Sequence, residues 1–313
     1  MGTYQGSALG PLLFSIYAND LSLYVDNSKI VQYADDTQIF LSGPPRDLNN
    51  LISSMENDLA QLSHWFSHNG MKINASKTQF IVLGSQQIIR RLPPITLNFM
   101  NTAMTGSSSV KNLGVLFDQC MTFNDHVDDV TRRCTGMMRG LSHTRHSVTE
   151  PIMVTLLQGL VLSVVRYCIS VYGACSGTQI QRVQKLINFA ARVISGRRKF
   201  DHISDVIRRL GWLRAEQLCK YHCLTTLKKI LMTGQPNVIS SALTSRHSVH
   251  GRNTRQYDQL QTPMIRTEAG RKRFLYLTVT NYNGLPSSVR DAPTIGAFKV
   301  RLKRHLLEQQ EEQ

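Results

Sequence analysis

The chain holds 313 residues, 42% of them hydrophobic, with a formal net charge of +15 and a pI near 9.8. That length can hold two domains with real cores, and the charge points to an anionic partner, most often nucleic acid. Residues 1–125 carry seven Lys/Arg against nine Asp/Glu and residues 126–313 carry 29 against 12, so an acidic-centred piece precedes a basic piece suited to gripping a polyanion.

The start, Met1-Gly2-Thr3-Tyr4-Gln5-Gly6, has neither the basic stretch nor the apolar core of a signal peptide, and Gly6 stands where myristoylation wants Ser or Thr. After the Gln5-Gly6-Ser7 turn, Leu9, Leu12, Leu13, Ile16 and Tyr17 recur at helical spacing, with Pro11 suited to a first turn. Asp26-Asn27-Ser28 is a turn signal. Two β-prone runs, 29–33 and 37–41, flank Ala34-Asp35-Asp36, which predicts a tight hairpin with carboxylates at its tip. A long helix follows Gly43-Pro44-Pro45, with Asp47 expected at its N-cap. Its apolar stripe is Leu48, Leu51, Ile52, Met55, Leu59, Leu62, Trp65 and Phe66, and it stops at Asn69-Gly70. Residues 71–73 and 78–83 read as strands, as do stretches near 95–104 and 110–117, completing a small α+β unit.

From about Asn124 the hydrophobic period turns helical. Val127, Val130, Cys134, Met137, Met138 and Leu141 mark one helix, and Thr149-Glu150-Pro151 opens the next. The apolar stretch 152–172 contains Gln158 and Arg166, falls short of the roughly 18 uncharged residues of a membrane span, and reads as a buried core helix. A helix over 178–195 carries Ile180, Val183, Leu186, Ile187, Ala190 and Val193 on one face. Arg182, Lys185 and Arg192 project from another as candidate contacts to a nucleic-acid backbone. Helices are expected near 201–210 and 214–232. Cys219-Lys-Tyr-His-Cys223 lies within an apolar helical pattern and has no second ligand pair nearby, so zinc is not expected. Six cysteines in a chain this long do not form a disulfide framework and fit a reducing intracellular compartment, nucleus or cytoplasm. Residues 235–270 read as loop-like, and a basic amphipathic segment, 297–307, precedes an acidic, Gln-rich tail. The expected domains are therefore 1–120, 121–235 and 236–313.

Asp35 and Asp36 between two short strands are hard oxygen donors on a rigid support, the kind of ligand magnesium takes. Asp-Asp turns are common and usually just solvated, so the tetrapeptide Tyr33-Ala34-Asp35-Asp36 carries weight only with its neighbours. Those neighbours are Gln5-Gly6-Ser7-Ala8-Leu9-Gly10-Pro11-Leu12-Leu13-Phe14, then Asn19-Asp20-Leu21, then Trp65-Phe66 with Asn69-Gly70-Met71-Lys72-Ile73-Asn74 and Ser76-Lys77-Thr78, and finally Val110-Lys111-Asn112-Leu113-Gly114-Val115. With Tyr33–Asp36 as motif C, the first, third and last of these resemble motifs B, D and E of reverse transcriptases, and Asn19-Asp20-Leu21 falls at the family's spacing. Leu210-Gly211-Trp212-Leu213 and the segment from Asn283-Gly284-Leu285-Pro286 to Leu306 resemble the thumb and C-terminal region of non-LTR, jockey-like elements. The pattern departs at Thr3, Tyr4, Ala8 and Tyr282, and the missing proline before Gln5 loosens the motif B turn.

The resemblance implies a partial polymerase palm (a helix plus a small antiparallel sheet) followed by an all-helical basic thumb and connection, and RNA-directed DNA polymerase activity. It makes Asp35 the principal ligand of Mg2+ (or Mn2+), with Asp36 assisting, and Lys77 the lysine that protonates leaving pyrophosphate. Gln5, Gly6, Ser7 and Tyr33 would meet nucleotide or template, and Leu113 and Gly114 the primer. The implied partners are an RNA template, a DNA primer and deoxynucleoside triphosphates, with no membrane. An RNA-dependent RNA polymerase shares the palm, but Tyr-Ala-Asp-Asp with this motif B and tail favours DNA synthesis. Only Met1-Gly2-Thr3-Tyr4 precede motif B, so the family's motif A carboxylate, fingers and endonuclease are expected to be missing, as in a truncated copy inactive alone. The alternative is a non-catalytic nucleic-acid-binding remnant.

Overall fold

Turn chemistry organises the first part of the chain. In this computed structural model, which describes residues 6–246, 259–271 and 273–311, the chain falls into two units, 1–121 and 122–313. Gly6 takes φ +84°, a conformation costly for any residue with a Cβ, and the Ser7 hydroxyl accepts the Gly10 N–H at 3.0 Å, launching helix α1 (Gly10–Tyr17) with Pro11 in its first turn. Strands β1 (Lys29–Tyr33) and β2 (Asp36–Phe40) pair antiparallel, and helix α2 (Leu48–His68) follows. Two further hairpins, β3 (Thr96–Phe99) with β4 (Thr102–Thr105) and β5 (Ser109–Asn112) with β6 (Val115–Asp118), complete the unit. The core is Ala18, Leu21, Leu62 and Trp65, with Phe14, Val25, Ile30, Ile39, Phe66 and Met71 packed around it. Burying a side chain as large as Leu62 or Trp65 contributes roughly 1.5–3 kcal/mol, so this cluster ties α1, α2 and the first hairpin together. The opposite side of α1 is open: Leu9, Leu12 and Ile16 are each more than half exposed.

Two expectations fail here. Residues 71–73 and 78–83 are not strands. The Asn74 side chain captures the Lys77 N–H and folds Ala75–Lys77 into a 3-10 turn, and the stretch makes isolated backbone bonds, Ser107 N–H to Phe80 O and Gly84 N–H to Gln119 O, instead of a ladder. Asp47 does occupy the N-cap of α2 as expected, although its side chain makes no capping bond. Residues 95–104 form two strands instead of one, because Met100 and Asn101 both take positive φ and reverse the chain.

The second unit is helical apart from one isolated bridge, Ser245 to Leu260, among the described residues. Helix α3 (Asn124–His143) packs on α5 (Gly177–Ser195). Between them, α4 (Glu150–Leu156) runs through a π turn, Leu157–Leu162, into a final turn, Ser163–Arg166. The expected single buried helix over 152–172 is thus broken: Cys168 turns at φ 53°, and the Tyr172 hydroxyl donates back to the Val165 carbonyl. Nor is the stretch buried all round, since Ile152, Leu160, Tyr167 and Val171 are exposed while Met153, Leu157, Val161, Val165 and Ile169 form the core face. Helix α6 (Ser204–Arg209) leads to α7 (Ala215–Thr233), which packs on α5, α8 (Phe274–Asn283) and α9 (Ile295–Glu311). The basic segment 297–307 lies in α9, whose Phe298, Leu302 and Leu306 are buried. Its Gln310 side chain accepts the Arg214 N–H at 2.8 Å. Of the expected loop-like stretch, residues 247–258 lie outside the described residues.

Candidate functional site

The β1–β2 register sets Tyr33 opposite Asp36, which leaves a two-residue turn, Ala34-Asp35. Asp36 therefore opens β2 instead of sitting in the turn as the sequence pattern predicts. Ala34 takes φ 51°, a left-handed conformation that costs a residue with a Cβ roughly 1–2 kcal/mol. Asp35 and Asp36 stand in solvent, and Tyr33 is 65% exposed beside them. Both carboxylates thus sit on the tip of a paired strand element, facing outward.

A residue the sequence reading passed over anchors this hairpin. Asp58, in the middle of α2, is fully buried, and its carboxylate accepts the Ser28 N–H at 2.7 Å, the Asn27 side chain at 3.0 Å, and the Asn27 and Asp26 N–H groups at 3.2 and 3.3 Å. It gathers the turn that feeds β1. Burial alone would raise its pKa, but the bonds from Ser28 and Asn27 outweigh that and hold it below the ordinary 3.8. An Asp at an otherwise apolar helix position was its signal in the sequence. Asp58→Ala orphans those donors and is expected to lower the stability of the first unit by roughly 3 kcal/mol, measured by urea unfolding followed through Trp65. The folded-state pKa is depressed, so Asp58 contributes fully above 3.8 and its contribution fades as pH falls through the lower folded value. The acid-induced loss of stability is expected to be shallower in Asp58→Asn.

Asn112, the last residue of β5, exchanges two bonds with Gln38 of β2: Gln38 Nε2 to Asn112 Oδ1 at 2.8 Å and Asn112 Nδ2 to Gln38 Oε1 at 3.0 Å. This amide pair joins the carboxylate hairpin to the β5–β6 hairpin, whose turn is Leu113-Gly114. Both turn residues take positive φ, 43° and 84°, the pattern a tight hairpin demands. A double-mutant cycle on Gln38→Ala and Asn112→Ala is expected to return a coupling of about 1 kcal/mol; purely additive losses would contradict the pairing.

The other candidates scatter. Lys77 is exposed at the end of its 3-10 turn. Gly6 and Ser7 are exposed where the chain enters α1, and Gln5 lies outside the described residues. In the second unit, Arg182 pairs with Asp128 and donates to Gln179 Oε1 at 3.0 Å, fastening α5 to α3, while Arg192 donates to the Asp201 carbonyl at 3.2 Å. Lys185 is exposed and has no ion pair among the described residues. Of the aligned trio, two arginines thus have structural partners.

The donor chemistry at the tip suits a hard divalent cation, because carboxylate oxygens are what magnesium takes. Among the described residues, however, no three His, Cys, Asp or Glu side chains gather as a metal site, so Asp35 and Asp36 need further oxygen ligands. No helix among the described residues is long and apolar enough to cross a membrane.

Residues 1–117 match the family described as reverse transcriptase (RNA-dependent DNA polymerase). The chain is 27% identical over 203 residues to a probable RNA-directed DNA polymerase from transposon X-element of Drosophila melanogaster, covering 62% of this chain and 22% of that one. It is 23% identical over 219 residues to the RNA-directed DNA polymerase from mobile element jockey of the same fly, covering 67% and 23%. It is 25% identical over 201 residues to a Pol polyprotein of the type-1 retrotransposable element R1 of Bradysia coprophila, covering 61% and 20%. The chain thus spans about a fifth to a quarter of the length of these relatives. No solved structure matches. The Tyr33–Asp36 hairpin lies inside the matched segment, so residues 1–117 carry a reverse-transcriptase match, and roughly two thirds of the chain is similar to the RNA-directed DNA polymerases of non-LTR retrotransposons.

Proposed function

We propose that this chain is the palm-hairpin and thumb portion of an RNA-directed DNA polymerase that copies an RNA template from a DNA primer. The observation that carries the reading is the two-residue turn of the β1–β2 hairpin, which presents Asp35 and Asp36 outward within the reverse-transcriptase segment. Divalent metal, Mg2+ or Mn2+, supplies charge neutralisation at the attacking hydroxyl and the triphosphate. Asp35 and Asp36 would hold it, and Tyr33 borders the same tip. Gly6 and Ser7, with Gln5 preceding them in the chain, would meet nucleotide or template, Leu113-Gly114 would meet the primer, and Lys77 would be the proton donor to pyrophosphate. The basic second unit holds the RNA–DNA hybrid by its phosphates, with Lys185 as the open member of its trio.

The open apolar side of α1 supports a role inside a longer polymerase, since contiguous exposed apolar surface marks a place where another segment packs. A second reading, a non-catalytic nucleic-acid binder, is favoured by the lack of a three-ligand cluster among the described residues. Primer extension on a poly(rA) template with Mg2+ or Mn2+ separates the two, comparing residues 1–313 alone with the same residues fused to an upstream reverse-transcriptase portion that supplies a further carboxylate. Extension by the fusion supports the polymerase; nucleic-acid binding by a fusion that never extends a primer supports the second reading.

A further inference from the structure

The loop between α5 and α6 presents the most exposed aromatic ring in the described part of the second unit. Phe200 is 88% exposed, and Lys199 Nζ sits 5.4 Å from its ring centroid. A single exposed aromatic on a slack loop would mean little, but this loop is held from several sides. Arg197 grips the Asp205 carboxylate through both guanidinium nitrogens and also donates to the His202 carbonyl. The Arg198 N–H donates to Asp201 Oδ2 at 2.7 Å, and Arg192 donates to the Asp201 carbonyl. At its start Gly196 takes φ 69°, and a Cβ there would collide with the Arg145 guanidinium, which lies against that backbone.

These contacts occupy Asp201 of the loop and Asp205 in the first turn of α6. What remains facing outward is positive: Arg198 and Lys199 are exposed and have no ion pair among the described residues, and the half-buried Arg145 lies against the backbone of Gly196 at the start of the loop. An exposed ring on a tethered loop, with Lys199 over it and Arg198 close by in the chain, fits an unpaired base stacked on the ring with its phosphates on the cations. A lipid surface fits less well, since membrane binding draws on an apolar helix face or several insertion groups, and here one ring stands alone.

We infer that Phe200, with Arg198, Lys199 and Arg145, is a stacking platform for unpaired nucleotides of a single-stranded nucleic acid. It rests on the proposed nucleic-acid binding of the second unit and adds a base-stacking contact to phosphate contacts. The platform would hold the unpaired template or a strand end beside the hybrid.

The test is fluorescence anisotropy of the full chain with a labelled sixteen-nucleotide oligouridylate and with a hairpin-capped RNA–DNA hybrid that has no free ends. Phe200→Ala is expected to weaken oligouridylate binding by about tenfold and hybrid binding far less, with an unchanged unfolding midpoint. Arg198→Ala and Lys199→Ala are each expected to reduce the salt slope for the single strand by about 0.7. Phe200→Trp keeps affinity and adds a reporter: the two native tryptophans, Trp65 and Trp212, are 1% and 4% exposed, so quenching by oligouridylate reads the new ring. Equal affinities for wild type and Phe200→Ala, or indole emission from the Phe200→Trp variant that does not change on binding, would overturn the platform while leaving the phosphate contacts standing. A blue shift with phosphatidylserine vesicles and no quenching by RNA would overturn it in favour of a lipid surface. Failure of the wild-type chain to bind either nucleic acid would overturn both this inference and the reading it rests on.

Discussion

Residues 1–313 alone are expected to give no detectable primer extension, and the fusion that supplies a further carboxylate is expected to lose on the order of 10^3-fold in kcat on Asp35→Asn. Asp35 and Asp36 are exposed at one hairpin tip, and no third ligand gathers with them among the described residues. A hard cation held by two carboxylates from one tip leaves most of its coordination to water and substrate. The triphosphate's charge then stays poorly compensated as it develops, and electrostatic stabilisation of that kind is often the largest single contribution to the rate. Positioning compounds the effect, since a triphosphate held on one side only is not aligned for attack. Hybrid binding by Asp35→Asn should match wild type, because the substitution touches no phosphate-gripping group. Robust synthesis by residues 1–313 that Asp35→Asn abolishes would show that a third ligand is present in the chain after all.

The second large effect concerns salt. Hybrid affinity of the chain is expected to fall by on the order of 500-fold between 50 and 200 mM monovalent salt if roughly five phosphates are neutralised, since each contact releases about 0.9 of a counterion. The charge behind this lies in residues 126–313, with 29 Lys/Arg against 12 Asp/Glu. The internal pairs lower the number of cations free to bind. Arg182, Arg197 and Arg209 are held by Asp128, Asp205 and Glu150, whereas Lys185, Lys199, Lys299 and Lys303 have no such partner among the described residues. Lys185→Ala should reduce the slope by about one and weaken all sequences alike. An affinity that stays flat across that salt range would remove phosphate contacts as the basis of binding.

What was legible in the sequence followed from short-range chemistry. The Tyr33–Asp36 hairpin could be read because two β-prone runs separated by only Ala34-Asp35-Asp36 leave few alternatives, although the structure shortens the turn to Ala34-Asp35. The helices at 124–143, 177–195 and 215–233 could be read because a 3.6-residue apolar period survives any packing arrangement. The family motifs were legible for the same reason, being contiguous in the chain. Misreadings fell where a local bond competes with the pattern. Asn74 turns its segment by capturing Lys77 N–H, and Cys168 ends a helix that hydropathy alone would continue. The boundary at residue 121 lies near the change of hydrophobic period at Asn124.

Only the tertiary structure could identify the groups that act across long separations. Asp58 lies 30 residues from Ser28 and Gln38 lies 74 from Asn112, and although an Asp on the apolar face of α2 marks Asp58 as unusual, neither local pattern names the partner until the chain brings the two together. The same holds for charge: Arg182, Lys185 and Arg192 share a helical face by periodicity, yet neighbours from elsewhere in the chain decide which cation stays open. Sequence alone determined the carboxylate hairpin and most of the long helices, because these depend on residues near in the chain. Tertiary structure decided which polar groups are tied and which are available, because a hydrogen bond or ion pair depends on distance in space, to which local pattern is blind.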